Sequence, residues 1–155
     1  MFDSPDECAR QILQAIPMVM RAIRNEMRSY RGSDLSVPKF RVLIFLNRNE
    51  GASLSDIAEH MGLTLPSMSK MIDGLVARNM VIRQMDPGDR RRVTLAPTAL
   101  GRTVMQSAYE ATAARLAERL AALPASECRT ILKAMQILEP IFVSDREAKT
   151  AKENN

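Results

Sequence analysis

Apolar residues near the start of the chain fall at helical spacing. Ile12, Ile16, Val19, Ile23 and Met27 recur every three or four positions, with Arg21, Arg24 and Arg28 interleaved. The pattern predicts a helix from Asp6 to about Tyr30. Pro17 lies inside it; a proline removes one backbone donor and crowds the preceding turn, so a kink or a fresh helix start is expected there. Arg31-Gly32-Ser33-Asp34 reads as a break. Ser36-Val37-Pro38 then opens a second helix, serine as cap and proline in the first turn, carrying Phe40, Leu43, Ile44 and Leu46 inward.

Two short helical patterns follow, Leu54 to Met61 and Leu65 to Arg78, separated by a few residues around Gly62. The period then changes. Val81-Ile82-Arg83-Gln84 and Arg91-Arg92-Val93-Thr94-Leu95 flank Asp86-Pro87-Gly88-Asp89, which predicts a hairpin closed by a type II turn, with proline second and glycine third. Thr98 is placed to cap a long helix reaching about Leu123, and Pro124 opens a last helix with Ile131, Leu132, Met135 and Leu138, expected to end before Pro140. Asp145 to Asn155 is charged and reads as a frayed tail.

The middle of this pattern carries chemistry. Ala58 is small enough to let a second helix cross closely, and Gly62 reverses the chain in a left-handed conformation. Thr64 caps the next helix and Pro66 enters its first turn. If Met68, Met71, Ile72 and Leu75 face the core, then Thr64, Pro66, Ser67, Ser69 and Lys70 lie on the outer N-terminal surface, with Asp73 beyond them. Asn79 stands where the helix ends and substitutes for glycine as a left-handed cap. Helix, tight turn and helix make a helix-turn-helix, whose second helix meets base edges in the major groove. The helix starts at Ser53 and Thr64 also offer backbone N–H groups to phosphates. Taken alone, the pair reads equally well as two packed helices. The basic hairpin adds a second contact: strand alternation puts Arg90 and Arg92 on one face, and an arginine on a narrow ribbon can enter the minor groove.

Composition narrows the class further. The 155-residue chain carries a formal net charge of +4, which suits an anionic partner, and it has no Trp, two Tyr and four Phe, so the core must be aliphatic and methionine-rich. No apolar run is long enough to span a bilayer and no signal peptide is recognisable, so a cytoplasmic location is expected. His60 is the only histidine and has no ligand at metal spacing; no nucleophile elbow, phosphate-binding loop or zinc-protease motif occurs. A non-enzyme without cofactor or metal is expected. Cys8 and Cys128 are too few for a disulfide framework.

The run Asp86-Pro87-Gly88-Asp89-Arg90-Arg91, then Leu95, Thr98 and Gly101, resembles the wing and following helix start of MarR-family regulators. Leu54, Ile57, Ala58, Met61 to Thr64, Ser67 to Asp73 and Leu75 resemble that family's helix-turn-helix. Two positions depart: the family often has arginine at Gly88 and leucine at Pro97. The first leaves open which arginine enters the minor groove, with Arg90 favoured by position; Arg91 is then free to pair with Asp86 or Asp89 and brace the wing.

The resemblance implies a mostly α fold with a small β-hairpin wing, a winged helix-turn-helix with an α-helical dimerisation region. Residues 1–35 would form a first dimerisation helix, 36–97 the DNA-binding domain, 98–143 the C-terminal dimerisation helices and 144–155 a flexible tail. It implies a homodimer on a pseudo-palindromic operator of double-stranded DNA, with half-sites about 34 Å apart. The major-groove candidates are Ser67 and Lys70, with Pro66 and Ser69 beside them; Ser53 and Thr64 are phosphate candidates, and Arg90 and Arg92 belong to the wing. Such proteins usually repress and release DNA on binding an effector. Here a small apolar or aromatic effector would meet Met18, Met20, Met27, Phe40 and Phe45, residues that core packing explains equally well. Two alternatives stay open: a thiol switch between Cys8 and Cys128, as in peroxide-sensing members of the family, and a winged-helix module that docks proteins and has no operator.

Overall fold

The computed structural model describes residues 4–29 and 35–142. The expected break at 31–34 and the tail from 144 lie outside the described residues. Among those described, six helices and one hairpin run in the order α1 (Pro5–Ser29), α2 (Val37–Arg48), α3 (Leu54–Met61), α4 (Leu65–Ala77), β1 (Val81–Met85), β2 (Val93–Pro97), α5 (Ala99–Leu120) and α6 (Ala125–Phe142).

Most helix ends have visible local causes. Ser4 caps α1 by accepting from the Glu7 N–H at 3.2 Å. Ser53 and Asp56 form a reciprocal capping box on α3, and Gly62 ends that helix at φ 66°. Thr64 caps α4, and Asn79 follows its end at φ 58°. There the Asn79 N–H donates to the Val76 carbonyl and the Met80 N–H to the Leu75 carbonyl, both at 2.9 Å, the paired bonds of a Schellman motif. Ser36 stands at the N-cap of α2, yet its side chain makes no capping bond.

The expected end of the last helix before Pro140 is corrected, and of the two expectations at Pro17 the fresh helix start does not occur. α1 runs unbroken through Pro17, and α6 continues through Pro140 to Phe142. In each case the carbonyl four residues back, on Leu13 or Gln136, belongs to an exposed residue, so water can take the place of the missing donor. α5 stops at Leu120, three residues earlier than expected.

The core gathers on the central helices. Val42, Leu43, Ile57, Met68, Ile72, Leu75 and Val81 are fully buried, with Phe45, Leu46, Met80, Leu95 and Ala108 around them. α2 is buried on two sides, so Phe45 turns inward and Ile44 is only half-buried. Each buried aliphatic side chain contributes about 1.5–3 kcal/mol over its exposed state. β1 and β2 pair antiparallel with Arg83 opposite Leu95 and Met85 opposite Val93. α5 approaches the end of α4 so closely that a Cβ on Gly101 would sit 2.1 Å from the Met80 carbonyl oxygen. Thr98 ties the same junction, its hydroxyl donating to the Asn79 carbonyl at 2.6 Å and its N–H to that of Met80 at 3.0 Å.

Outside this core the helices are sparsely covered. Met27 is the buried residue of α1, and α6 has none. Glu26 fastens α1 to α5 through Arg119 at 2.7 Å.

Candidate nucleic-acid interface

Ala58 is buried where α3 meets α4, and the Leu63 N–H returns to its carbonyl at 3.0 Å, so the turn between the helices is tight. Met68, Ile72 and Leu75 anchor α4 by one stripe, and Met71 is half-buried beside them. That anchoring turns Pro66, Ser67 and Lys70 outward; all three are exposed, whereas Ser69 is half-buried. The Thr64 hydroxyl oxygen accepts from the Ser67 N–H at 3.4 Å and its O–H donates to Ser67 Oγ at 3.0 Å. One Ser67 lone pair is thereby used within the cap. Leu63 and Leu65 are also exposed here, an apolar pair at the start of α4 that was not among the sequence candidates.

Ser53 is half-buried and occupied on both sides: its oxygen accepts from the Asp56 N–H at 3.2 Å, and its N–H donates to Asp56 Oδ2 at 2.9 Å. The start of α3 therefore already holds a carboxylate, which competes with any phosphate there.

The wing departs from its expected geometry. β2 begins at Val93, so Arg90, Arg91 and Arg92 lie in the connecting loop and strand alternation does not sort them. Gly88 does not adopt positive φ, and a type II turn is not formed. The physical reason is that aspartates take over the turn. Asp86 Oδ1 accepts from the Gly88 N–H at 2.8 Å, and Asp89 Oδ1 accepts from the Arg91 N–H at 3.0 Å. Two backbone bonds of 2.9 Å close the loop, Asp86 N–H to the Arg92 carbonyl and Arg92 N–H to the Asp89 carbonyl. Asp86 and Asp89 thus engage backbone N–H groups, and the expected Arg91 ion pair to either is absent among the described residues.

The three arginines have different fates. Arg92 folds back on the body, reaching the Gly51 carbonyl at 3.3 Å and Asp56 Oδ2 at 3.5 Å. Arg90 and Arg91 are exposed, and their guanidiniums have no carboxylate partner among the described residues. A fourth basic residue, Arg83 on β1, pairs with Asp73 on α4.

The five effector candidates do not converge. Met18 is exposed and Met20 half-buried on α1, Met27 and Phe45 are core residues, and Phe40 packs partly against the core. Phe45 stacks on His60 with ring centroids 4.5 Å apart, which gives that histidine a packing partner. An apolar cavity of about 530 Å³ lies elsewhere, between α1 and α6, lined by Ile12, Ile16, Met135, Leu138, Glu139 and Phe142. Cys8 is exposed in the first turn of α1, and Cys128 is half-buried near the start of α6; both are free thiols. No helix among the described residues is long and apolar enough to cross a membrane.

Comparison with known proteins agrees with this geometry. A profile described as MarR family matches residues 33–92. The HTH-type transcriptional regulator YfiV of Bacillus subtilis is 30% identical over 105 residues, covering 68% of this chain and 66% of its own length. The crystal structure of RV1404 from Mycobacterium tuberculosis superposes with a TM-score of 0.77 at 20% identity, over 91% of this chain and 95% of that one. The transcriptional repressor CouR, solved on a 23-mer DNA duplex, superposes with a TM-score of 0.66 at 25% identity, over 90% and 99% of the two chains. With its helix pair, its basic hairpin and these matches, the chain belongs to the MarR family of winged helix-turn-helix transcriptional regulators.

Proposed function

We propose that the protein is a non-catalytic cytoplasmic repressor that binds a pseudo-palindromic operator as a homodimer and is released by a small apolar or aromatic ligand. The observation that carries the DNA reading is the exposed face of α4 at Pro66, Ser67 and Lys70 beside a loop that presents Arg90 and Arg91 without carboxylate partners. A solvated cation with no internal partner is available to a polyanion at little cost. In this reading α4 enters the major groove through Ser67 and Lys70, Thr64 and the first turn of α4 meet a phosphate, and Arg90 reaches the minor groove. Ser53 and Arg92 are engaged internally and leave the list of direct contacts.

Dimerisation is supported by apolar surface on the outer helices. Leu13 on α1 and Leu132, Ile137, Ile141 and Phe142 on α6 are all more than half exposed, an arrangement a second copy would cover. Two winged domains related by a twofold axis then fit half-sites one helical turn apart, about 34 Å. The ligand part of the reading rests on the apolar cavity between α1 and α6.

The test is selection of duplexes from a randomised pool, followed by binding titrations and sedimentation. Enrichment of an inverted repeat bound by two chains is the expected result. Enrichment of nothing above a shuffled duplex would favour a protein-docking module instead.

A further inference from the structure

A two-stranded hairpin is marginal without outside support, so its attachments decide where Arg90 and Arg91 stand. On β2 the Leu95 N–H donates to the Ala52 carbonyl at 2.8 Å, joining the strand to the segment that leads into α3. Just before β2, Arg92 reaches Gly51 and Asp56 at 3.3 and 3.5 Å. On β1, opposite Leu95 in register, Arg83 pairs with Asp73 on α4. The wing is therefore tied by two arginines to the helix pair, the loop end before β2 to α3 and β1 to the recognition helix.

The carboxylates are the informative partners. Both stand on helices that the DNA reading brings near a polyanion, where a negative charge is unfavourable by itself. Asp56 is only 14% exposed and is already fixed by the Ser53 N–H in the capping box, so it is the rigid end of its pair, while Arg92 is 47% exposed. We infer that Asp56–Arg92 and Asp73–Arg83 form a two-sided staple that sets the angle of the wing to the recognition helix. Arg83 and Arg92 are then positioning residues, and the direct contacts fall to Arg90 and Arg91. The purpose of the staple rests on the DNA-binding reading above; its geometry does not.

A staple reverses the sign expected of an aspartate near DNA. A carboxylate acting only by its charge repels DNA, so neutralising it would tighten binding to every sequence. A carboxylate that holds the wing weakens binding to the preferred sequence when neutralised. Exposed ion pairs are individually weak, so the expected loss is about twofold to fivefold for each.

The experiment has two arms on the full chain. Without DNA, Asp56→Asn and Arg92→Gln should each speed amide exchange at Asp86 and Leu95 severalfold and leave Ile72 and Leu75 on α4 unchanged. The double variant should exchange no faster than Arg92→Gln alone, which already removes both the Asp56 and the Gly51 contacts. Asp56→Asn keeps an acceptor for the Ser53 N–H, so the cap of α3 survives. With DNA, the probes are a duplex selected by the wild-type protein from a randomised pool and a shuffled duplex of equal length. Asp56→Asn and Asp73→Asn should lose affinity for the first and lose none for the second. Arg92→Gln should cost less once Asp56 is Asn than it does alone, with the salt dependence unchanged.

Unaltered exchange would overturn the staple, as would tighter binding of both duplexes by the aspartate variants. So would an Arg92→Gln loss that is independent of Asp56 and lowers the salt slope by about one, since that marks a phosphate ligand. If the wild-type protein enriches no duplex, the DNA reading fails while the exchange measurement still decides the staple.

Discussion

Lys70, Arg90 and Arg91 project into solvent, but a polyanion would use them differently. A lysine on a phosphate acts as a point charge, so Lys70→Ala should weaken binding similarly for all sequences and lower the salt slope by about one. An arginine in the minor groove responds to groove width, so Arg90→Ala should cost most on operators with a narrow, A-tract-like flank. Fluorescence anisotropy over a salt series separates the two, and an unchanged Kd for Arg90→Ala at moderate salt would remove it from the interface. Gly88 gives a gain-of-function counterpart. Its backbone is not left-handed, and the nearest atom to an added Cβ is Asp86 Oδ1 at 3.4 Å, so a side chain can be accommodated there without backbone strain. Gly88→Arg should raise DNA affinity and steepen its salt dependence, with the melting temperature unchanged. Gly101 is the opposite case. A Cβ 2.1 Å from a backbone oxygen forces α5 away from Met80, so Gly101→Ala should cost about 3 kcal/mol and lower Tm by about 6–12 °C in calorimetry.

At the scale of elements, what was legible in the sequence was what local chemistry decides. Thr64, Gly62, Asn79 and Thr98 each end or begin a helix where their residue type demands it. Asn79 makes the point testable. At φ 58° a glycine fits and a β-branched residue does not, so Asn79→Gly should change stability by less than about 0.5 kcal/mol, and Asn79→Val should lose about 1–2 kcal/mol on urea denaturation. The misreadings share a different cause: they depended on groups distant in sequence or on exposure. The Arg92–Asp56 contact was not legible, because the two residues lie 36 positions apart and no pattern announces that pair. The Pro-Gly dipeptide pointed to a type II turn, but the Asp86 and Asp89 carboxylates outcompete it by taking backbone N–H groups. The last helix was expected to end before Pro140, yet α6 continues through it as α1 does through Pro17, and the carbonyls four residues back belong to exposed residues. Phe45 was left open between effector lining and core because single-stripe patterning does not reveal that α2 is buried on two sides.

On the scale of the whole molecule, the unequal distribution of burial is the strongest statement about assembly. The winged part closes a core of fully buried aliphatic residues, while α6 carries Ile131, Leu132, Met135, Ile137, Ile141 and Phe142 with exposures from 39% to 71% and buries nothing. A helix this apolar gains little from facing water, and a lone chain rarely keeps so many large apolar side chains of one helix exposed. If a second copy covers it, a charge placed on α6 should separate the subunits without touching the winged core. Leu132→Glu combined with Ile137→Glu is the direct trial, since both side chains are more than half exposed in the single chain and neither contributes to its core. Sedimentation should report a single chain in place of a dimer, and the amides of Leu43, Ile57 and Ile72 should keep their protection from exchange. Binding to a full inverted repeat should fall by at least tenfold, because the two half-sites are no longer joined by one protein, whereas binding to an isolated half-site should stay near the wild-type value. A variant that remains dimeric places the interface elsewhere than on α6. A monomeric variant that binds the full repeat as tightly as the wild type would separate assembly from operator recognition altogether.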